Sequence, residues 1–288
     1  MGKARNKGWF RRRSPIPAAL CGLALATFAA AAAPSRGDPA DAARLNQQGL
    51  TDLAFDAFGR DEQGWAVYEP LIAREIGSAR AGDTRDFASA LAGWQGAHGL
   101  GHAGVVDRTT LTAMNAVWLG RRPFVAASQH ACPTAPAEAG LVLVPPDQSY
   151  GGKSLRLLPA ALLAYGRMRL AALAEGSSMR SDARLMTVFS AYRSPGADAV
   201  RCVLDGNCQG VTRASCSAHS TGLAIDVFLG SAPGHRPDSS DDVNRLYMSR
   251  GDTYRWMVTN AARFGFVPYP FEPWHWEWAG EPIAHNPR

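Results

Sequence analysis

Lysine is almost absent from this 288-residue chain once its first 33 residues are set aside. Residues 34–288 contain a single lysine, Lys153, and neither an SxxK nor a KTG sequence. Serine peptidases of the class defined by these two motifs need both of their lysines, so that class is excluded. The chain also lacks a CxxC pair, which argues against a thiolate metal site of the usual spacing.

An excess of positive charge is likewise missing from most of the chain. The whole sequence carries 30 basic and 25 acidic side chains, a formal net charge of +5. Six of the basic residues fall within residues 1–33, which contain no acidic residue, so the remainder has 24 basic against 25 acidic side chains. This balance gives no indication of a nucleic-acid partner.

The basic residues of the first segment precede an apolar run. Three arginines at residues 11–13 are followed by an alanine- and leucine-rich run to about residue 33. A basic head, an apolar middle and small residues at the end are typical of a signal peptide, here residues 1–33. We therefore expect a periplasmic or secreted protein with no stable membrane insertion after cleavage. An uncleaved anchor is the alternative, although the run is barely long enough to span a bilayer.

Four cysteines follow this segment: Cys132, Cys202, Cys208 and Cys216. An even number in an exported protein suggests two disulfides, for which three connectivities exist. We favour a Cys202–Cys208 bridge, because these residues bracket an Asp-Gly pair, and hence Cys132–Cys216. A metal site formed by the thiolates is the alternative.

Two histidines and a carboxylate in the second half have the composition of a catalytic zinc site. His219 and Asp226 lie in the sequence SAHSTGLAID, and His275 lies in EPWHW. Such a ligand set leaves a fourth position open for water. The spacing of His219 and Asp226 does not fit one helix face but does fit a loop residue followed by a buried strand. Glu272, three residues before His275, is close enough to act as a general base.

The pattern SxHxxGxAxD followed by ExxH, with SAYRS at residues 190–194 ahead of it, resembles the VanY-type zinc D-alanyl-D-alanine carboxypeptidases, which trim peptidoglycan stem peptides. The resemblance covers roughly the last half of the chain and implies a zinc carboxypeptidase domain at residues 147–288. It implies Zn²⁺ held by His219, Asp226 and His275. It also implies that Arg193 holds either the developing oxyanion or the terminal carboxylate of the substrate.

Three positions close to these motifs bear on catalysis and substrate binding. Arg193 follows a predicted strand and can make a bidentate contact through a permanently charged group; a structural salt bridge is the alternative. Ser217 either hydrogen-bonds the substrate or a ligand, or stabilises a turn. Asp198 stands where the family commonly has glutamine, in YRSxxxQ, so substrate choice can differ if that position touches the stem peptide.

A second resemblance lies nearer the amino end. The sequence FASALAGWQGAHGL followed by GVVDRTTL resembles the small three-helix peptidoglycan-binding domain, with Trp94 where that family usually has phenylalanine. Gly99 is expected to end one helix and Asp107 to cap the next. We expect an all-α domain of this type at residues 41–120 and a proline-rich linker at 121–146.

Helical and strand patterns alternate after the linker. The predicted elements are a helix at 158–174, a strand at 184–190, a polar loop at 231–250, a helix at 252–264, and a last loop and strand at 268–278. Helices mixed with antiparallel strands predict an α+β domain with a central sheet. On the last strand, Trp274, Trp276 and Trp278 share one face, which we interpret as core packing. Glu277 shares the face of His275, where it either supports the site or is solvated.

The motifs together predict an exported zinc metallopeptidase that hydrolyses a C-terminal D-amino acid, with D-Ala of D-Ala-D-Ala as the first expectation, from peptidoglycan stem peptides. The expected partners are those peptides and the sacculus. D,D-endopeptidase and L,D-carboxypeptidase activities fit the same zinc site, and the sequence does not separate them. A non-catalytic wall-binding protein with a degenerate peptidase domain is the alternative of a different class.

Overall fold

The structure is a computed structural model that describes residues 37–128, 132–204, 206, 208 and 216–280. The signal peptide predicted at residues 1–33 lies outside the described residues. Within the described residues, no helix is both long and apolar enough to cross a membrane. Pro34–Arg288 make up one compact unit.

Four helices and a hairpin form the amino-terminal part of this unit. They are α1 (Pro39–Asp52), β1 (Ala54–Ala57), β2 (Arg60–Gln63), α2 (Glu69–Glu75), α3 (Arg85–Ala97) and α4 (Arg108–Gly120). As predicted, the Asp107 side chain caps α4 by accepting the Thr110 N–H at 2.7 Å, and Gly99 follows α3 with a φ of 70°. The all-α expectation was incomplete, because β1 and β2 pair in antiparallel fashion around a turn at Phe58 and Gly59.

The described residues of the segment predicted as a linker, 121–128 and 132–146, pack in part against the rest of the chain. It contains a short helix, α5 (Pro123–Ala127), and a strand, β3 (Val142–Leu143), which pairs with β4 (Arg156–Leu157). Arg122 and Leu141 within it are buried. The independent folding of residues 41–120 is not tested by this packing and stays a prediction.

A four-stranded antiparallel sheet with helices around it forms the carboxyl-terminal part. The helices are α6 (Pro159–Glu175), α7 (Ser177–Ser181), α8 (Pro195–Leu204), α9 (Asp242–Arg250) and α10 (Asp252–Asn260). The strands are β5 (Val188–Ser190), β6 (Ala224–Val227), β7 (Phe266–Pro268) and β8 (His275–Trp278), in the spatial order β5-β6-β8-β7. The α+β expectation is confirmed.

One element was predicted wrongly from composition. Residues 242–250 form the helix α9, whereas the sequence predicted a polar loop. The reason is that α9 buries polar residues, among them Asn244 and Arg245, which are fully inaccessible to solvent. The Asn244 side chain accepts the Ala232 N–H at 2.9 Å and donates to the Ser239 carbonyl at 2.9 Å. A buried face held together by hydrogen bonds leaves no apolar periodicity to detect.

Two disulfides hold the loops next to the sheet, and both were predicted. Cys202 is bonded to Cys208, with a Cα–Cα distance of 4.5 Å, and Cys132 is bonded to Cys216, with a Cα–Cα distance of 5.7 Å. The second bridge joins the segment before the sheet to the residue that precedes Ser217.

The amino-terminal hairpin contacts the loop that leads into β8. The Phe58 ring lies 5.5 Å from that of Tyr269 and 5.6 Å from that of Phe271. A buried ion pair lies beside these rings, with Arg245 Nη1 donating to the Glu62 carboxylate at 2.9 and 3.0 Å. Arg245 Nε also donates to the Phe271 carbonyl at 3.0 Å. The buried apolar residues of both parts form one continuous cluster.

Candidate metal centre

Two of the predicted metal ligands are brought together by the pairing of β6 with β8. Asp226 lies directly opposite His275 in this antiparallel ladder. Directly opposed residues on one face of an antiparallel pair have their side chains about 5 Å apart. The His275 Nδ1 atom is accordingly 2.9 Å from Asp226 Oδ1. The sheet register therefore sets the separation of these two ligands.

The third predicted ligand, His219, reaches the same point from a 3-10 helix, Ala218–Thr221. Gly222 ends this helix with a φ of 71°, a left-handed conformation that glycine adopts without strain. The His219 Nδ1 atom lies 2.8 Å from the Ala191 carbonyl, to which it can donate. This contact turns Nε2 toward the cluster, where it lies 3.2 Å from Asp226 Oδ2.

The three side chains form a buried cluster whose ligand atoms lie within 4.8 Å of one another. Two imidazole nitrogens and a carboxylate oxygen match the donors that zinc prefers, and the hydrogen bond of His219 Nδ1 leaves the other nitrogen for the metal. Burial alone would raise the pKa of Asp226, but the two adjacent histidines outweigh it and hold that pKa below its ordinary value. Burial lowers the pKa of His219. The residues present therefore fit a zinc ion.

Glu272, predicted as the general base, lies beside the cluster. Its Oε2 atom is 3.9 Å from His275 Nδ1. A tight turn holds it there, since the Glu272 N–H donates to the Tyr269 carbonyl at 3.1 Å and the His275 N–H donates to the Glu272 carbonyl at 2.9 Å. Burial raises the pKa of Glu272 to about 7. A carboxylate with such a pKa is suited to both accepting and releasing a proton near neutrality.

The far side of the His275 ring faces a second carboxylate. Glu277 Oε1 lies 3.4 Å from His275 Nε2. Glu277 is itself held by Arg122, whose Nε donates to Oε1 at 2.7 Å, and by the Phe124 N–H, which donates to Oε2 at 2.9 Å. The Arg122 guanidinium also stacks on the Tyr269 ring, 3.9 Å from its centroid. Burial would lower the pKa of His275, but Asp226 and Glu277 raise it to about 9.

Arg193, predicted to bind substrate, is oriented by two neighbours. Its Nε donates to Asp198 Oδ1 at 2.7 Å, and its Nη1 donates to Ser190 Oγ at 2.7 Å. The Ser217 hydroxyl donates to the other oxygen of Asp198, which is buried. Asp198, which stands in the place of the family glutamine, thus accepts hydrogen bonds from Arg193 and Ser217.

The cluster opens onto a cleft of about 410 Å³. All six residues that the sequence predicted for the site line this cleft: Arg193, Ser217, His219, Asp226, Glu272 and His275. Arg122 lines it as well. Trp274 and Trp276 are 3% and 1% exposed and belong to the hydrophobic core, as predicted, and Trp274 also lines the cleft.

Sequence reasoning missed Arg122, which it placed in a linker without a role. No local signal marks this residue, because its partner Glu277 is 155 positions away. For Glu277 the alternation of β8 was a usable signal, and of the two readings left open the structure supports a place next to His275. Asp198 was recognised as a departure from the family pattern, but its contact with Arg193 was not foreseen.

Comparisons with known proteins agree with the resemblance for the carboxyl-terminal part. Residues 157–281 match the family model described as VanY, D-alanyl-D-alanine carboxypeptidase. The family recognised from the motifs is thereby confirmed for this region. The resemblance of the amino-terminal helices to a peptidoglycan-binding domain stays a prediction. A comparison with curated proteins finds no match.

Solved structures with a similar fold include three of this type. The LdcB LD-carboxypeptidase has 23% identity and a TM-score of 0.40, over 54% of this chain and 75% of its own. A mutant of the vancomycin resistance D,D-pentapeptidase VanY in complex with Zn(II) has 21% identity and a TM-score of 0.31, over 51% of this chain and 84% of its own. VanYB in complex with D-alanine-D-alanine has 22% identity and a TM-score of 0.31, over 51% and 82%.

Proposed function

We propose that this protein is an exported zinc carboxypeptidase that removes a C-terminal D-amino acid from peptidoglycan stem peptides, with D-Ala of D-Ala-D-Ala as the first candidate. The observation that carries the proposal is the meeting of His219, Asp226 and His275 with Glu272 in one buried cluster, on a cleft that also contains Arg193. The match of residues 157–281 to the D-alanyl-D-alanine carboxypeptidase family supports the choice of substrate class.

The metal would be held by His219 Nε2, a carboxylate oxygen of Asp226 and His275 Nδ1. When bound, zinc supplies activation of a water molecule and polarisation of the scissile carbonyl. Each of the two histidines has a polar group behind it: the Ala191 carbonyl lies behind His219 and the Glu277 carboxylate behind His275. Such outer contacts orient ligands and fix their tautomers.

Glu272 accepts a proton from the attacking water and delivers it to the departing amine. Its position near His275 Nδ1, and a pKa that burial raises to about 7, suit both steps. Arg193, which lines the same cleft, offers its guanidinium to the substrate. Because Asp198 and Ser190 fix its orientation, it is ready to bind a carboxylate without first losing conformational freedom.

A carboxypeptidase must recognise a free carboxylate next to the bond that it cuts, and a fixed guanidinium suits that task. The decisive comparison is a pentapeptide stem against the same stem with its terminal carboxylate amidated, with products identified by mass spectrometry. We expect hydrolysis of the free stem only. Equal cleavage of both would show that no terminus is recognised, and an endopeptidase acting on cross-links would replace this proposal.

Metal dependence is tested separately. Chelation should abolish hydrolysis and added zinc should restore it, and His275→Ala should lower metal affinity strongly because it removes one of three ligands. Full activity of metal-free protein would exclude a zinc peptidase. Zinc binding without turnover on any stem peptide would instead favour a non-catalytic wall-binding protein.

A further inference from the structure

The polar surroundings of His275 differ on its two sides. Nδ1 faces Asp226 and Glu272, on the side of the proposed metal. Nε2 is buried, and among the described residues no group meets hydrogen-bond geometry with it. The nearest carboxylate is that of Glu277, at 3.4 Å. A metal-bound histidine donates its second N–H to such a group, which fixes the ring, so Glu277 is the group that must be held in place.

Glu277 cannot hold this position without a cation. Its side chain is 2% exposed, and a buried carboxylate without a charged partner is strongly unfavourable. Arg122 supplies the positive charge through two nitrogens on one carboxylate oxygen, and the Phe124 N–H binds the other oxygen. The Tyr269 ring fixes the plane of the guanidinium. Arg122 therefore determines where Glu277 lies, and Glu277 faces His275.

Arg122 comes from a part of the chain that has no evident connection with catalysis. It lies between α4 and α5, 35 residues before the region that matches the carboxypeptidase family begins at residue 157. Its neighbour Arg121 makes a comparable bidentate ion pair with Glu75, in which the Arg121 side chain is 51% exposed and that of Glu75 is 9% exposed. Two consecutive arginines thus each hold a carboxylate, but only Arg122 lines the cleft of the metal centre.

We infer that Arg122 is a positioning residue for the metal centre: it acts through Glu277 to hold the His275 ring, so that the segment before the family-matched domain completes the zinc site. The inference rests on the proposed zinc site. It means that the carboxyl-terminal part binds zinc at full affinity only when residues 122–124 hold Glu277 in place.

The test uses the full chain and measures zinc affinity by competition with a chromophoric chelator. Arg122→Gln and Glu277→Gln should each weaken zinc binding by about 10- to 100-fold, the usual effect of removing an outer-shell partner. Arg122→Lys keeps the charge but loses the fork, so it should restore part of the affinity. The matched control Arg121→Gln should leave zinc affinity within about twofold, because the Arg121–Glu75 pair does not line the cleft of the metal centre.

Combining the two substitutions separates positioning from general stabilisation. If Arg122 acts through Glu277, the double variant should bind zinc about as well as either single variant, since the two losses are one interaction. Losses that multiply in the double variant would overturn the inference. So would wild-type zinc affinity in Arg122→Gln, even with a lower melting temperature, because that pattern describes a merely structural ion pair.

The outcomes distinguish this inference from the proposed function. Wild-type protein that takes up no zinc refutes the proposed function. Wild-type protein that binds zinc, with Arg122→Gln equal to it, refutes only the role of Arg122. If Arg122→Gln does not fold, Arg122→Lys and Glu277→Gln carry the comparison, and unchanged zinc affinity in both overturns the inference.

Discussion

Asp198 is the residue at which this chain departs from the family pattern, and the substitution Asp198→Ala tests what it contributes. The buried carboxylate accepts from Arg193 Nε at 2.7 Å and from the Ser217 hydroxyl. Among the residues that the structure describes, its removal leaves only the Ser190 hydroxyl as a side-chain partner of the Arg193 guanidinium. A hydrogen bond to a charged group contributes about 1.5–3 kcal/mol. If all of that orients Arg193 for substrate, kcat/KM should fall by roughly 10- to 150-fold, at about 1.36 kcal/mol per factor of ten.

Asp198→Asn tests whether the charge or the acceptor matters. The amide oxygen can still accept from Arg193 Nε while the amide nitrogen donates to the Ser217 hydroxyl. Because charge-assisted hydrogen bonds are about twice as strong as neutral ones, roughly half of the free energy should be kept. The expected loss in kcat/KM is then roughly three- to tenfold.

The assay is initial-rate hydrolysis of a pentapeptide stem ending in D-Ala-D-Ala, with the melting temperature of each variant as a check on folding. Asp182→Ala is the matched control, since Asp182 also pairs with an arginine, Arg184, but at the surface. That variant should keep wild-type kinetics. Wild-type kcat/KM in a folded Asp198→Ala protein would refute the proposed orientation of Arg193.

Three further outcomes are expected. Glu62→Gln should lower the free energy of unfolding in urea by about 3–5 kcal/mol, because it leaves the fully buried Arg245 short of its partner; an unchanged midpoint would contradict this. Glu272→Gln should keep its zinc, measured by metal analysis, while turnover falls by on the order of 10² or more; turnover near wild type would exclude Glu272 as the base. Glu277 has its pKa lowered from 4.5 to about 2, because His275 and Arg122 outweigh the effect of burial. Its stabilising contribution is therefore complete above pH 4.5 and is lost as the pH falls towards 2. In metal-free protein, the melting temperature of Glu277→Gln should therefore fall less steeply than that of the wild type between pH 4.5 and pH 2.

The metal ligands could be predicted from the sequence because they lie in short motifs of recognisable spacing. His219 lies in the loop before a buried strand and Asp226 lies on that strand, while Glu272 and His275 follow the ExxH spacing. These elements are determined by residues close together in the sequence. The disulfides could also be predicted, since only four cysteines follow residue 33 and only three pairings of them exist.

The buried ion pairs around the site could not be predicted in the same way. Arg122 meets Glu277 across 155 positions, and Arg245 meets Glu62 across 183, with no periodicity that links the partners. Arg245 also lies on α9, a helix whose buried polar face made its sequence look like a loop. These contacts arise from packing of the whole unit, and packing is decided by shape and charge at long range rather than by local preference.

The cross-strand opposition of Asp226 and His275 would give the proposed zinc ion a part in folding as well as in catalysis. The two residues are 49 positions apart, and a slip of β8 by one residue would turn the histidine to the opposite face of the sheet. A mispaired sheet therefore has no complete set of ligands to offer. An ion that binds only the native strand pairing stabilises that pairing, by about 2.7 kcal/mol at a free concentration a hundredfold above its Kd. Bound zinc would therefore favour the native strand register over shifted registers.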